Sequence, residues 1–248
     1  RDRSVSRGLG DVYKRQIFLQ ELSQTTGLPL SKMKNMGSNS ELSPDSGTTS
    51  GSRQTLITGE AVRMAAVDLK RDLDEAGGDL SKLEGKEYFA EFFDPTDKLG
   101  ADVPFPKSHV AYGFAAHVVV LDDEGRVKEV YAAHDSGKVV NPTSIQGQIE
   151  GGVLMGMGYA LTEHFPLEDC VPQAKYGTLG LLHSTQIPDI HAIYVEKDEL
   201  LPFAYGSKGI GEISAIPTAP AVEGAYYAMD HKFRNTLPLE DTWYSRKH

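Results

Sequence analysis

The chain has 248 residues, with 25 Lys+Arg, 35 Asp+Glu and a formal net charge of −10. That acidic balance argues against nucleic acid or an anionic membrane surface as the main partner, and no apolar run reaches the roughly 18–20 residues of a spanning helix. One cysteine, Cys170, excludes an internal disulfide framework and an iron–sulfur cluster held by four cysteines of this chain; the cytoplasm is the expected compartment.

Residues 1–16, RDRSVSRGLGDVYKRQ, hold five basic and two acidic side chains, whereas the remaining 232 hold 20 basic and 33 acidic. No apolar segment follows the basic residues, so this is not a signal peptide. The string DVYKRQ resembles a translated sequencing-library adapter, and residues 1–16 are expected to be an artefact outside the fold. If so, the credible chain, 17–248, is the C-terminal portion of something longer.

Residues 17–26 read as the end of an amphipathic helix stopped by Gly27. A Gly/Ser/Thr-rich loop occupies 37–52. Apolar residues at Leu56, Ile57, Ala61, Met64, Ala65 and Leu69 predict a long helix over 53–73, broken at Gly77-Gly78. Residues 88–93 form a short strand candidate. The apolar, β-branched runs 109–121 and 126–133 flank Asp122-Asp123-Glu124-Gly125 and predict a hairpin. Asp135-Ser136-Gly137 reads as a turn that positions the next helix. Asn141-Pro142 starts that helix, which runs to about Leu161. A strand is expected at 191–195 and a final helix at 217–229. Strands and helices mix without strict alternation, so the expected class is α+β.

Three constellations carry chemistry. At 46–55, SGTTSGSRQT leads into a helix start, where unpaired N–H groups, hydroxyls and Arg53 together make a phosphate or pyrophosphate cradle. An ordinary capped loop accounts for the same residues. In the second, five glycines (147, 151, 152, 156 and 158) sit in one helix beside Gln148. Each costs on the order of 1 kcal/mol relative to Ala, so a ligand or a closely packed backbone must offset them. The stripe Ile145, Ile149, Gly152, Val153, Gly156, Met157 and Ala160 predicts the buried side. In the third, Gly206-Ser207-Lys208-Gly209-Ile210-Gly211-Glu212 lets a loop approach a ligand and aim one carboxylate inward, as a general base requires; a surface turn fits as well. His117, His134 and His164 lack metal-ligand spacing and read as strand or surface residues. No Gly-x-Ser-x-Gly elbow supports a serine hydrolase.

Taken in order, PDSGTTSGSRQT, HDSGKVVNPTSIQGQIEGGVLMGMGYALTE and GSKGIGE resemble the C-terminal half of the molybdopterin-binding subunit of the molybdenum hydroxylases, the xanthine dehydrogenase and aldehyde oxidase family. The resemblance spans nearly all of 17–244. It implies the C-terminal half of a molybdopterin-binding domain with mixed strands and packed helices. It also implies a molybdenum–molybdopterin cofactor in the cytosine dinucleotide form, held by Ser52, Arg53, Gln54, Thr55, Gln148, Gly209 and Gly211. Gln148 then approaches the metal centre, and Glu212 is the base that activates the attacking hydroxyl; no residue of this chain ligates the metal. Iron–sulfur clusters and FAD are expected on other domains or subunits, as is the upstream half of the site. Many members have two prolines after the glutamate, where Ile213-Ser214 stand here. This variant looks most like the selenium-dependent xanthine dehydrogenase branch, implying hydroxylation of a purine, xanthine or hypoxanthine. An aldehyde or other N-heterocycle oxidase, or a non-catalytic phosphate-binding module, are the competing readings.

Overall fold

The computed structural model describes residues 11–36, 52–175, 177–196 and 201–245. The chain divides into two compact units, the first made of 1–112, 137–142 and 196–209, the second of 113–136, 143–195 and 210–248.

In the first unit, helix α1 (Asp11–Thr26) packs on helix α2 (Gln54–Glu75). The helical backbone begins six residues before Ile17. Gly27, at φ 74°, ends α1 and donates to the Ser23 carbonyl. Gly77 and Gly78, both left-handed, end α2 as expected, with Gly78 N–H on the Leu73 carbonyl. Leu56, Ala66 and Leu73 of α2 are buried. Residues 88–93 are not a strand. They alternate half-buried and exposed as an extended chain does, and Phe92 meets Phe203 at 5.2 Å. No described strand lies alongside to supply ladder hydrogen bonds, so the period of two reports conformation but not a sheet.

In the second unit, strands β1 (Phe114–Leu121) and β2 (Val127–Asp135) form the expected antiparallel hairpin. Its turn is held by Asp122, whose carboxylate accepts from the N–H groups of Glu124 and Arg126. β1 starts at Phe114 rather than near His109, because its partner β2 ends opposite it at Asp135. Helix α3 (Pro142–Leu161) follows. A minor hairpin comes next, β3 (Leu167–Glu168) and β4 (Val171–Pro172), then strand β5 (Asp189–Val195), which joins β2 in parallel. The sheet order is β1-β2-β5. Helix α4 (Thr218–Asp230) packs on β1, burying Val222 and Tyr226 with Val119, Val127 and Val130. Mixed strands and helices make the class α+β. No described helix is long and apolar enough to cross a membrane.

Candidate active site

The cradle segment lies partly outside the described residues: 46–51 are not described, and Ser52 and Arg53 are. Ser52 is left-handed, at φ 54°, and Arg53 stands at the N-terminal boundary of α2. The amide of Gln54 donates along the helix to Thr58 at 2.7 Å. Thr55 is half-buried in the first turn. Gly209, from the glycine loop, lies on this start: a Cβ there would sit 1.9 Å from the Ser52 carbonyl oxygen. The first unit therefore joins two of the three constellations, and close approach is what requires glycine at 209.

In the second unit the α3 glycines fall into three groups. The expected apolar stripe is inward: Ile145, Ile149, Val153, Met157 and Ala160 are buried. On that side a Cβ at Gly152 would meet Ser214 Oγ at 2.1 Å, and one at Gly156 would meet Thr218 Cβ at 2.6 Å and the Ala215 carbonyl at 2.7 Å. Backbone packing thus accounts for these two. Gly158 faces the Glu163 side chain. Gly147 and Gly151 meet nothing within 4 Å, and with Gln148 they form an exposed face. Packing within this unit gives those two no reason to be glycine.

The segment received by Gly152 and Gly156 is the one that follows Glu212. Ser214 is fully buried, Ile213 presses on Gly113 at the entry to β1, and Ala215 N–H closes a turn on the Glu212 carbonyl. The two residues that stand where many members have prolines, Ile213 and Ser214, are thus both packing elements. Through this contact Gln148 and Glu212 are tied to the same stretch of α3, Gln148 one turn before Gly152 and Glu212 two residues before Ser214. Glu212 and Gly211 are exposed, so the carboxylate is not enclosed by its own loop.

Sequence reasoning missed the scaffold of the glycine loop. Gly137 is left-handed, at φ 62°, and a Cβ there would lie 2.0 Å from the Gly206 carbonyl, which accepts from Lys138 N–H. The Ser136-Gly137 turn therefore supports the 206–207 segment. Glu60 of α2, 4% exposed, accepts from Ala204 N–H at 2.6 Å and is gripped through both oxygens by Arg63. Burial pushes its carboxyl upward, but the Arg63 and Ala204 hydrogen bonds and the Arg63 charge outweigh that and hold it below the ordinary carboxylate range. Glu21 of α1 is fully buried, and its two oxygens have no hydrogen-bond partner among the described residues. It fills the space a side chain at Gly59 would occupy, and burial, then the nearby Glu60 charge, push its pKa up to about 8. A Glu at a helical contact carries no sequence mark of such burial. His117 and His134 also pair across β1 and β2, at 3.2 Å between ring nitrogens, which residue spacing along the chain did not suggest.

The family model of the molybdopterin cofactor-binding domain matches residues 14–90 and 79–188, and the chain belongs to that family. Among its relatives, the xanthine dehydrogenase molybdenum-binding subunit of Escherichia coli O157:H7 is 26% identical over 263 residues, 90% of this chain and 34% of that subunit. The aldehyde oxidoreductase of Megalodesulfovibrio gigas is 29% identical over 209 residues, 78% of this chain and 22% of that protein. Of solved structures, the aldehyde oxidoreductase from Desulfovibrio gigas superposes with a TM-score of 0.69 at 25% identity, covering 85% of this chain and 25% of that one. Quinoline 2-oxidoreductase from Pseudomonas putida 86 gives 0.66 at 20% identity, covering 94% and 34%. The chain spans about a third or less of the length of these relatives.

The residues present fit a pterin cofactor. The start of α2 beside Arg53 suits a phosphate. In the first unit Gly209 packs directly on the Ser52 backbone at that helix start; in the second unit, the open glycines Gly147 and Gly151 beside Gln148 leave room for a flat ligand.

Proposed function

We propose that the chain is part of a molybdenum hydroxylase that oxidises a purine, xanthine or hypoxanthine, with water as the source of oxygen. A molybdenum–molybdopterin cofactor, in its cytosine dinucleotide form, would supply the two-electron redox chemistry here, with iron–sulfur and flavin groups on other domains or subunits as the electron outlet. Ser52, Arg53, Gln54 and Thr55 hold its phosphate end, with Arg53 supplying charge and the α2 start supplying N–H donors. Gly209 and Gly211 let the loop lie close to it. Gln148 orients the reacting group through an amide that both donates and accepts. Glu212 takes the proton from the attacking oxygen as it adds to an electron-poor ring carbon. We read the basic segment before α1 as foreign to this fold; the expected boundary at residue 16 moves back, because α1 begins at Asp11 and the family match at residue 14.

One observation carries the proposal: Gly152 and Gly156 receive the 214–218 segment and so tie Gln148 and Glu212 to one helix, while Gly147 and Gly151 beside Gln148 stay open. An aldehyde or another N-heterocycle is the alternative substrate, favoured by the aldehyde oxidoreductase relative. The test is Glu212→Gln in the full-length protein, with turnover on xanthine and on an aldehyde measured alongside molybdenum content. Gln keeps the shape but cannot take a proton, so turnover should fall by about 10²–10⁴ with molybdenum retained. More than roughly a tenth of wild-type turnover removes Glu212 as the base.

A further inference from the structure

Ala204, Tyr205 and Gly206 are three consecutive left-handed residues, at φ 47°, 52° and 76°. Two of them are not glycine, and such a turn persists only where its surroundings over-determine it. Several contacts do so. Ser207 donates its hydroxyl to the Ala204 carbonyl at 2.8 Å, the Tyr205 hydroxyl meets Thr25 Oγ1 at 2.5 Å, and Gly206 is held by Lys138 N–H. The remaining contact differs in kind. Ala204 is fully buried, so no water can serve its N–H, and the acceptor is a carboxylate 144 residues away, Glu60. Charge-assisted bonds of this sort are about twice as strong as neutral ones, and the Arg63 fork fixes the direction in which Glu60 points.

We propose that Glu60 is a positioning residue for the glycine loop: its carboxylate holds the left-handed turn at 204–206, and that turn lays Gly209 on the Ser52 backbone. The functional part rests on the reading above, in which Ser52 and Gly209 border the cofactor. Glu60 itself touches neither substrate nor cofactor; it acts through Ala204.

The test uses the full-length, cofactor-loaded protein with E60Q, E60L and G209A. Gln keeps an amide oxygen for Ala204 N–H, whereas Leu keeps bulk without an acceptor. Amide hydrogen exchange over 204–209 and the rate of molybdenum loss after dilution are read together with kcat and KM. E60L should raise exchange over 204–209 about tenfold, leave exchange in α3 and α4 unchanged, and speed molybdenum loss about tenfold. E60Q should stay within about threefold of wild type on both readouts, because the acceptor survives. Unchanged loop exchange in E60L, or equal defects in E60L and E60Q, overturns the proposal. A loosened loop with unchanged molybdenum retention overturns its link to the cofactor. G209A separates that result from a failure of the reading itself, since its Cβ collides with Ser52 directly; if G209A also keeps its molybdenum, Ser52 and Gly209 do not border the cofactor. Should E60L fail to accumulate, R63M leaves the acceptor but removes the fork. Loop exchange should then rise about threefold, and no rise overturns the proposal.

Discussion

Glu21 gives the first unit a pH dependence of known sign. Its carboxyl is raised from 4.5 to about 8 by burial and by the Glu60 charge that Arg63 maintains. Between those two values the folded chain holds a proton that the unfolded chain releases, so stability falls as pH rises from about 4.5 to about 8 and then levels. At pH 7 the gap to the unfolded value is about 2.5 units, or about 3 kcal/mol at 1.36 kcal/mol per unit. Glu21→Gln keeps the shape and cannot ionise. It should match wild type near pH 4.5 and exceed it by about 3 kcal/mol at pH 7. Glu21→Met also removes the unpartnered oxygens and should add about 1–3 kcal/mol at every pH. Urea unfolding from pH 4.5 to 8.5 checks this, read by far-ultraviolet dichroism of all four helices, with the α1–α2 part resolved by amide hydrogen exchange. The single tryptophan, Trp243, lies in the second unit and serves as an internal control. Parallel pH profiles for wild type and Glu21→Gln would refute the reasoning.

The remaining predictions concern the second unit and are read by Trp243 fluorescence. Gly156→Val overpacks α3 against Ala215 and Thr218 and should cost about 1–3 kcal/mol or more, whereas Gly151→Ala meets open space and should gain up to about 1 kcal/mol of helix stability; a reversed order would remove the packing account of these glycines. His117 faces His134 and Thr218, and burial, followed by the His134 charge, lowers its pKa to about 4. The unfolded chain therefore binds more protons between pH 6.5 and 4, and stability should fall as pH drops through that window. The loss is about 1–2 kcal/mol once the partly exposed ring is discounted for solvent screening, and His117→Gln, which cannot titrate, should flatten the profile.

Local chemistry determined a large part of this protein. The ends of α1 and α2 at Gly27 and Gly77, the Asp122–Gly125 turn and the run of α3 to Leu161 are written in capping, turn and periodicity signals a few residues long. The three constellations, read in order, mark the family from the sequence alone. Tertiary structure decided what those signals could not reach. The alternation at 88–93 is a property of one segment, but a strand needs a neighbour, and no described strand is placed beside it. The five α3 glycines look alike in sequence; only the arrival of Ser214 and Thr218 assigns 152 and 156 to packing and leaves 147 and 151 open. Glu60 and Ala204 lie 144 residues apart and meet through a single hydrogen bond, and Glu21 shows its raised pKa only once α2 has sealed it from water. Such effects depend on desolvation and on contacts between distant segments, which residue type and spacing do not encode.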